Sequence, residues 1–220
     1  MIKQFRGKSF SVPDSVGWLF DGEKEVLDRW WDVKSGDVVF DVGCASGLYT
    51  LPALALGAYV FAFDANTKMC DELKQYLGMN PQFLEMCEVH NIGIGSVERE
   101  RYSLLDALVE HGVSRDFAEP IIGHDIVPFT RLDSFMPRLS RLDWIKIDVE
   151  SYELDVLQGA GEILKRFMPK LIIENHTNID HIGPYMKANS IWERILALLH
   201  GLGYRTAEEP YDGRSHLFCD

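Results

Sequence analysis

No charged residue lies between Asp41 and Asp64. A run of that length could in principle cross a bilayer, for which about 20 apolar residues suffice. Its content argues otherwise, because Gly43, Ser46, Gly47, Thr50, Pro52 and Gly57 interrupt it and acids close both ends. The residues divide into a buried β-branched strand over 37–42, a glycine turn over 43–47, a helix over 48–56 and a second strand over 59–63. Strand, tight turn, buried helix and strand make a βαβ unit, which implies parallel strands covered by helices. No membrane span is expected, and the chain reads as an α/β protein.

The rhythm continues downstream. A helix is expected over 67–77 and a third strand over 89–94. A strand follows over 144–149, then a helix bearing Leu154, Leu157, Ala160, Ile163, Leu164 and Phe167 at spacings of three and four. Residues 170–175 form the next strand, Ile191 to Leu199 a last helix, and the tail through Leu217 and Phe218 a closing hairpin strand. Val26, Leu27, Trp30 and Trp31 recur on one helical face, so residues 1–35 are expected to be an N-terminal helical extension. Residues 96–127 break the alternation and read as an inserted segment, a candidate lid or acceptor element. With no internal repeat and no low-complexity linker, residues 1–220 are expected to form a single domain.

Charge narrows the partners. The chain carries 22 Lys and Arg against 34 Asp and Glu, a formal net charge of −12. Such a surface is repelled by phosphate backbones, so nucleic acid is not an expected partner. Cys44, Cys70, Cys87 and Cys219 show no CxxC spacing and read as reduced thiols. The N-terminus lacks the basic-then-apolar plan of a secretion signal, and a cytoplasmic location is expected.

The most informative stretch is Asp41-Val42-Gly43-Cys44-Ala45-Ser46-Gly47, between strand and helix. Small residues there let the backbone turn sharply and let a ligand rest on main-chain atoms. Asp64 ends the next strand, where a carboxylate can accept both ribose hydroxyls of an adenosine. A dinucleotide and S-adenosylmethionine both fit that logic. The small residues are spaced two apart, unlike Gly-x-Gly-x-x-Gly, and Asp41 would repel a pyrophosphate. Beside a sulfonium and an α-ammonium group the same carboxylate is apt. The plainer reading is that Gly43 and Gly47 only permit a tight turn.

A second constellation is Trp144-Ile145-Lys146-Ile147-Asp148-Val149-Glu150, whose period of two puts Asp148 and Glu150 on one side at a strand end. Ile172-Ile173-Glu174-Asn175-His176 delivers Glu174 and His176 to the same rim. His176 is a candidate general base for deprotonating an alcohol, with Asp148 and Glu150 as catalytic partners. Asp148, Glu150 and Glu174 are also candidate ligands of a Mg2+ ion that would lower the alcohol's pKa. Against this, the two acids could simply cap the helix that follows, and His176 could be a satisfied loop histidine. His111, His124, His181, His200 and His216 have no assignable partner, and His90 could border an adenine.

Taken in order, Gly36-Asp37-Val38-Val39-Phe40-Asp41-Val42-Gly43, Gly47-Leu48-Tyr49-Thr50, Phe61-Ala62-Phe63-Asp64, Leu132-Asp133-Ser134-Phe135, Ile145-Lys146-Ile147-Asp148-Val149-Glu150, Glu153-Leu154-Asp155-Val156-Leu157-Gln158-Gly159-Ala160 and Glu174-Asn175-His176 resemble the FkbM family of S-adenosylmethionine-dependent methyltransferases. The resemblance implies a class I, Rossmann-like, seven-stranded and mostly parallel sheet with helices on both faces and an antiparallel last strand. It implies O-methylation of a hydroxyl on a small molecule or saccharide. An N- or carboxyl-methyltransferase and a non-catalytic cofactor-binding module are the alternatives. Carried over, Asp41, Gly43 and Gly47 match the cofactor loop, Asp64 the ribose-binding acid and Asn91 the adenine side, and Cys44, Ala45, Ala65 and Ile92 beside them are further cofactor-binding candidates. Asp148 counts among both the cofactor-binding and the catalytic candidates. The chain departs from the family at Ala45, where asparagine is frequent, at Ala65, where proline is usual, and at Ser151, where glycine is usual.

Overall fold

A computed structural model describes residues 1–122, 125–177, 183–211 and 214–220. His124 and His181, and part of the segment expected to be inserted, lie outside the described residues. The chain opens on a hairpin, β1 (Ile2–Phe5) and β2 (Lys8–Ser11), before helices α1 (Gly17–Gly22) and α2 (Lys24–Trp30). The expectation of a helical extension over 1–35 is therefore corrected in its first third. Arg6 and Gly7 join the two strands at φ 45° and 76°. Two successive left-handed residues give the turn whose twist suits a two-residue hairpin. Phe5 and Phe10 are its buried residues.

The βαβ unit is as expected: β3 (Val38–Val42), α3 (Thr50–Leu56), β4 (Tyr59–Phe63), then α4 (Thr67–Gly78) and β5 (Cys87–His90). Asn66 starts α4 by accepting the Lys68 and Met69 N–H groups at 3.0 and 3.4 Å. The strand expected over 89–94 is two strands. β6 (Gly93–Ile94) leaves the main sheet to pair with β8 (Ile126–Thr130), which also pairs with β7 (Arg99–Ser103). Between β7 and β8 run α5 (Leu104–Glu110) and α6 (Arg115–Ile122). The Phe129 ring lies over Gly93, where an added Cβ would meet it at 2.4 Å.

Further along come β9 (Trp144–Ile147), α7 (Glu153–Gln158), α8 (Gly161–Phe167), β10 (Lys170–Asn175), α9 (Gly183–Ala188), α10 (Ile191–Leu202), β11 (Thr206–Tyr211) and β12 (Arg214–Cys219). The helix expected through 154–167 is two helices. At the break, an added Cβ on Gly159 would lie 2.0 Å from the Gly95 carbonyl oxygen, so the chain must turn there to pass the backbone that leaves β6.

The main sheet has seven strands in the order β11-β12-β10-β9-β3-β4-β5. β12 runs antiparallel to both its neighbours, and every other pairing is parallel. This is the class I methyltransferase arrangement. Period two gives the sheet two apolar faces. Phe40, Val42, Ile145, Ile147, Leu171 and Ile173 pack on one, and Val39, Val60, Trp144, Ile172 and Phe218 on the other. Among the described residues, no helix is long and apolar enough to cross a membrane.

The helix break supplies a stability test. Gly159→Ala is expected to cost about 3 kcal/mol in urea unfolding through overpacking against backbone. Gly161→Ala, two residues on and facing open space, should be neutral or stabilise by up to about 1 kcal/mol through helix propensity. Equal effects at the two glycines would contradict this account of the break.

Candidate active site

Strand order reverses between β3 and β9, the place where open α/β sheets hold their ligands, at the carboxyl ends of the strands. The two strand tips touch. An added Cβ on Gly43 would lie 1.7 Å from the Asp148 carbonyl oxygen, and its φ is 75°, so no other residue fits. Ala45, at φ 44°, donates its N–H to Asp64 Oδ2 at 2.8 Å. Asn66 N–H bonds Asp64 Oδ1 at 2.8 Å. Burial pushes the Asp64 carboxyl up to about 6, against the pull of these two backbone donors.

A cleft of about 250 Å³ opens here, and its lining includes Gly43, Ala45, Asp64, Ala65, Ile92, Asp148 and Glu150. Seven residues named from the sequence thus meet at one opening. The other four cofactor candidates stand behind it. Asp41 is buried and accepts the Thr50 hydroxyl at 2.6 Å, which locks the start of α3. Cys44 is buried with its thiol against the Ala45 carbonyl. An added Cβ on Gly47 would meet Leu73 Cδ1 at 2.6 Å, so this glycine serves the contact between α3 and α4. Asn91 donates to the Asp64 carbonyl oxygen at 3.0 Å and accepts the Thr67 hydroxyl at 3.0 Å, which braces the turn after β4. Leu104, Ala107 and Leu108 of α5 close the apolar side of the cleft. Sequence reasoning assigned these residues to the inserted segment, without their contact with the cleft.

A row of charge crosses the sheet behind the opening. Lys146 sits opposite Asp41 in the β3–β9 register and is 3% exposed. Its ammonium donates to Asp148 Oδ2 at 2.9 Å, reaches the Gly43 carbonyl at 3.5 Å and lies 5.0 Å from the centre of the Tyr49 ring. Burial works against that ammonium, yet Asp148, Asp41 and Glu174 keep its pKa above the ordinary lysine value. Burial also opposes charge on Asp148, but Lys146 and His176 hold it well below the usual carboxylate range. Glu174 is pushed the other way, to about 8, by burial and by Asp148 beside it. Lys146 was missed as a functional residue. Its signal was a lysine flanked by isoleucines in a buried strand, which demands a carboxylate partner.

His176 is fully buried. Its Nδ1 lies 3.0 Å from Glu153 Oε1, and its Nε2 lies 3.5 Å from Asp148 Oδ1 and 3.6 Å from Glu150 Oε2. Burial disfavours its charge, but Glu153, Glu150 and Asp148 outweigh that and push its pKa up to about 10. A general base must be neutral and reachable by the acceptor. His176 is fully buried behind the carboxylates, out of an acceptor's reach, so the structure does not place it as an open base. Glu153, also fully buried, accepts the Val149 and Ser151 N–H groups at 3.3 and 3.2 Å and was likewise missed. These bonds hold the loop after β9, where Glu150 and Ser151 take φ 51° and 81°. Left-handed backbone explains why the family favours glycine at position 151. Here the Ser151 hydroxyl donates to the His111 carbonyl at 2.7 Å instead.

Three comparisons bear on this arrangement. A model of the methyltransferase FkbM domain matches residues 41–206. No curated protein sequence matches the chain. Among solved structures, the FkbM methyltransferase of Methylobacillus flagellatus KT superposes with a TM-score of 0.58 at 17% identity, over 84% of this chain and 44% of that one. This chain therefore spans less than half of that protein. Precorrin-6y C5,15-methyltransferase of Geobacter metallireducens GS-15 gives 0.55 at 9% identity, covering 96% and 92% of the two chains. Aeropyrum pernix fibrillarin, solved with natively bound S-adenosyl-L-methionine, gives 0.55 at 10% identity, covering 100% and 82%. These likenesses show a shared fold. The matched domain takes in the Gly43 turn, Asp64 and the strand tips that carry Asp148 and Glu174, and the chain belongs to the FkbM methyltransferase family.

Proposed function

We propose that the chain transfers a methyl group from S-adenosylmethionine to a hydroxyl of a small molecule or saccharide. One observation carries the cofactor assignment. The charged residues lining the cleft, among those described, are Asp64, Asp148 and Glu150, and no lysine or arginine joins them. A pyrophosphate would meet three carboxylates there. A ligand with a sulfonium and an α-ammonium group would meet the charge it needs. In this reading the Asp64 carboxylate accepts the ribose hydroxyls, Ala65 and Ile92 flank the adenine, and the Gly43 turn lies along the methionyl part.

The acceptor enters on the side of Glu150, whose carboxylate is half exposed, 48% against 28% for Asp148. As the hydroxyl attacks the methyl carbon it must lose its proton. Glu150 is the reachable carboxylate for it, while Asp148, held ionised by Lys146, orients the sulfonium end. His176 positions both from behind. The α5 wall, within the segment expected to be a lid or acceptor element, would set acceptor fit. An acidic rim also suits a cationic amine, so amines belong in the acceptor screen beside sugars and phenols. Methylation detected as a mass gain on an amine alone would move the assignment to N-methylation.

The cofactor reading predicts that Asp64→Ala weakens S-adenosylhomocysteine binding about 10–100-fold in calorimetry, the worth of a charge-assisted pair of hydrogen bonds. Because burial pushes the Asp64 carboxyl up to about 6 and the ribose needs the carboxylate form, affinity should fall as pH drops. The loss is about fourfold from pH 7.5 to pH 5.5 by linkage. An affinity flat across that window would count against Asp64 as the ribose acceptor. For the chemical step, Glu150→Gln is expected to lower kcat by about 100-fold while leaving S-adenosylhomocysteine affinity within about twofold. An unchanged kcat would remove Glu150 from the proton's path.

A further inference from the structure

The fully buried imidazole of His176 is aimed at two carboxylates without hydrogen-bonding either. Its Nε2 stands 3.5 Å from Asp148 Oδ1 and 3.6 Å from Glu150 Oε2. Hydrogen bonds between such groups lie at about 2.7–3.2 Å. Two donors that each sit about 2.1 Å from one ion at the tetrahedral angle lie roughly 3.4 Å apart. The spacing is that of ligands around a cation. One donor atom each from Asp148, Glu174 and His176 falls within 4.8 Å of the others.

We propose that Asp148, Glu174 and His176, with Glu150 at the open side, form a binding site for a divalent transition-metal ion at the tips of β9 and β10. Glu153 fits the role of the outer carboxylate that orients a metal-bound histidine. Its Oε1 lies 3.0 Å from Nδ1 and accepts two backbone N–H groups, so with an ion on Nε2 the ring's remaining proton would face Glu153. Lys146 does not block the position, since its ammonium takes Oδ2 of Asp148 and leaves Oδ1 toward His176. One imidazole with carboxylates suits Mn2+, Fe2+ or Zn2+ better than Mg2+, which prefers an all-oxygen, partly hydrated octahedron. The site thus replaces the expected Mg2+, held by acids alone, with a softer ion that uses the histidine.

The site can be tested apart from the cofactor assignment, with no S-adenosyl ligand present. Full-length protein freed of metal with a chelator would be titrated with Mn2+, following loss of the free-ion paramagnetic resonance signal. One Mn2+ per chain is expected at sub-millimolar concentration, displaced by Zn2+ at lower concentration than by Mg2+. Glu150→Gln, at a half-exposed position that spares the fold, should weaken Mn2+ at least about tenfold. Glu174→Gln should do the same if its melting temperature is retained. Absence of bound Mn2+ at millimolar concentration would overturn the proposal. So would an affinity unchanged in Glu150→Gln, or displacement by Mg2+ as effective as that by Zn2+.

Discussion

Between the tips of β3 and β9 the backbone of Gly43 passes so close to the Asp148 carbonyl that a methyl group would not fit. Lys146 buries its ammonium beside the same two residues. Removing one partner of a buried ion pair strands the other, at a cost of about 3–5 kcal/mol, so this contact holds at a fixed distance the two loops that leave the adjacent strands β3 and β9. The Gly43 turn on one side and the carboxylate rim on the other are both set by it. Asp64 is then reached through Ala45, whose N–H is the link between the first and second strand tips.

The same contact sorts residues into those a ligand can touch and those that hold them. Asp41, Thr50, Asn91 and Glu153 do not line the cleft: Thr50 bonds Asp41 behind it, Asn91 holds the Asp64 carbonyl and Glu153 the Val149 N–H. Catalytic carboxylates in such a site are worth little unless they are aimed, and aiming is what the buried layer does. The opening itself carries only acids among its charged lining residues, so its chemistry is set for a cationic centre.

Much of this was legible in the chain. The uncharged run between Asp41 and Asp64 dictated a βαβ unit, and the alternation around Lys146 and Ile172 put two acidic strand ends side by side. What failed to show was local geometry. The Arg6-Gly7 turn lacks the usual asparagine-glycine signature, so the opening hairpin read as helix. The spacing of apolar residues through Gly159 stays helical although close backbone packing breaks the helix there. Asp41 and Gly47 were expected in a cofactor loop, but a motif does not say which residues face outward; Asp41 is buried and Gly47 packs against Leu73. His176 stands at the expected rim, but its burial between Glu153 and Asp148 could not be read from the strand pattern.

The central claim is that the acidic opening at the Gly43–Asp148 contact receives an S-adenosyl ligand. Isothermal titration of the full chain with S-adenosylhomocysteine, and in parallel with NAD+, tests it most directly. The account predicts one S-adenosylhomocysteine bound per chain and no heat with NAD+. Binding of NAD+ at this site, or silence with S-adenosylhomocysteine, would contradict it.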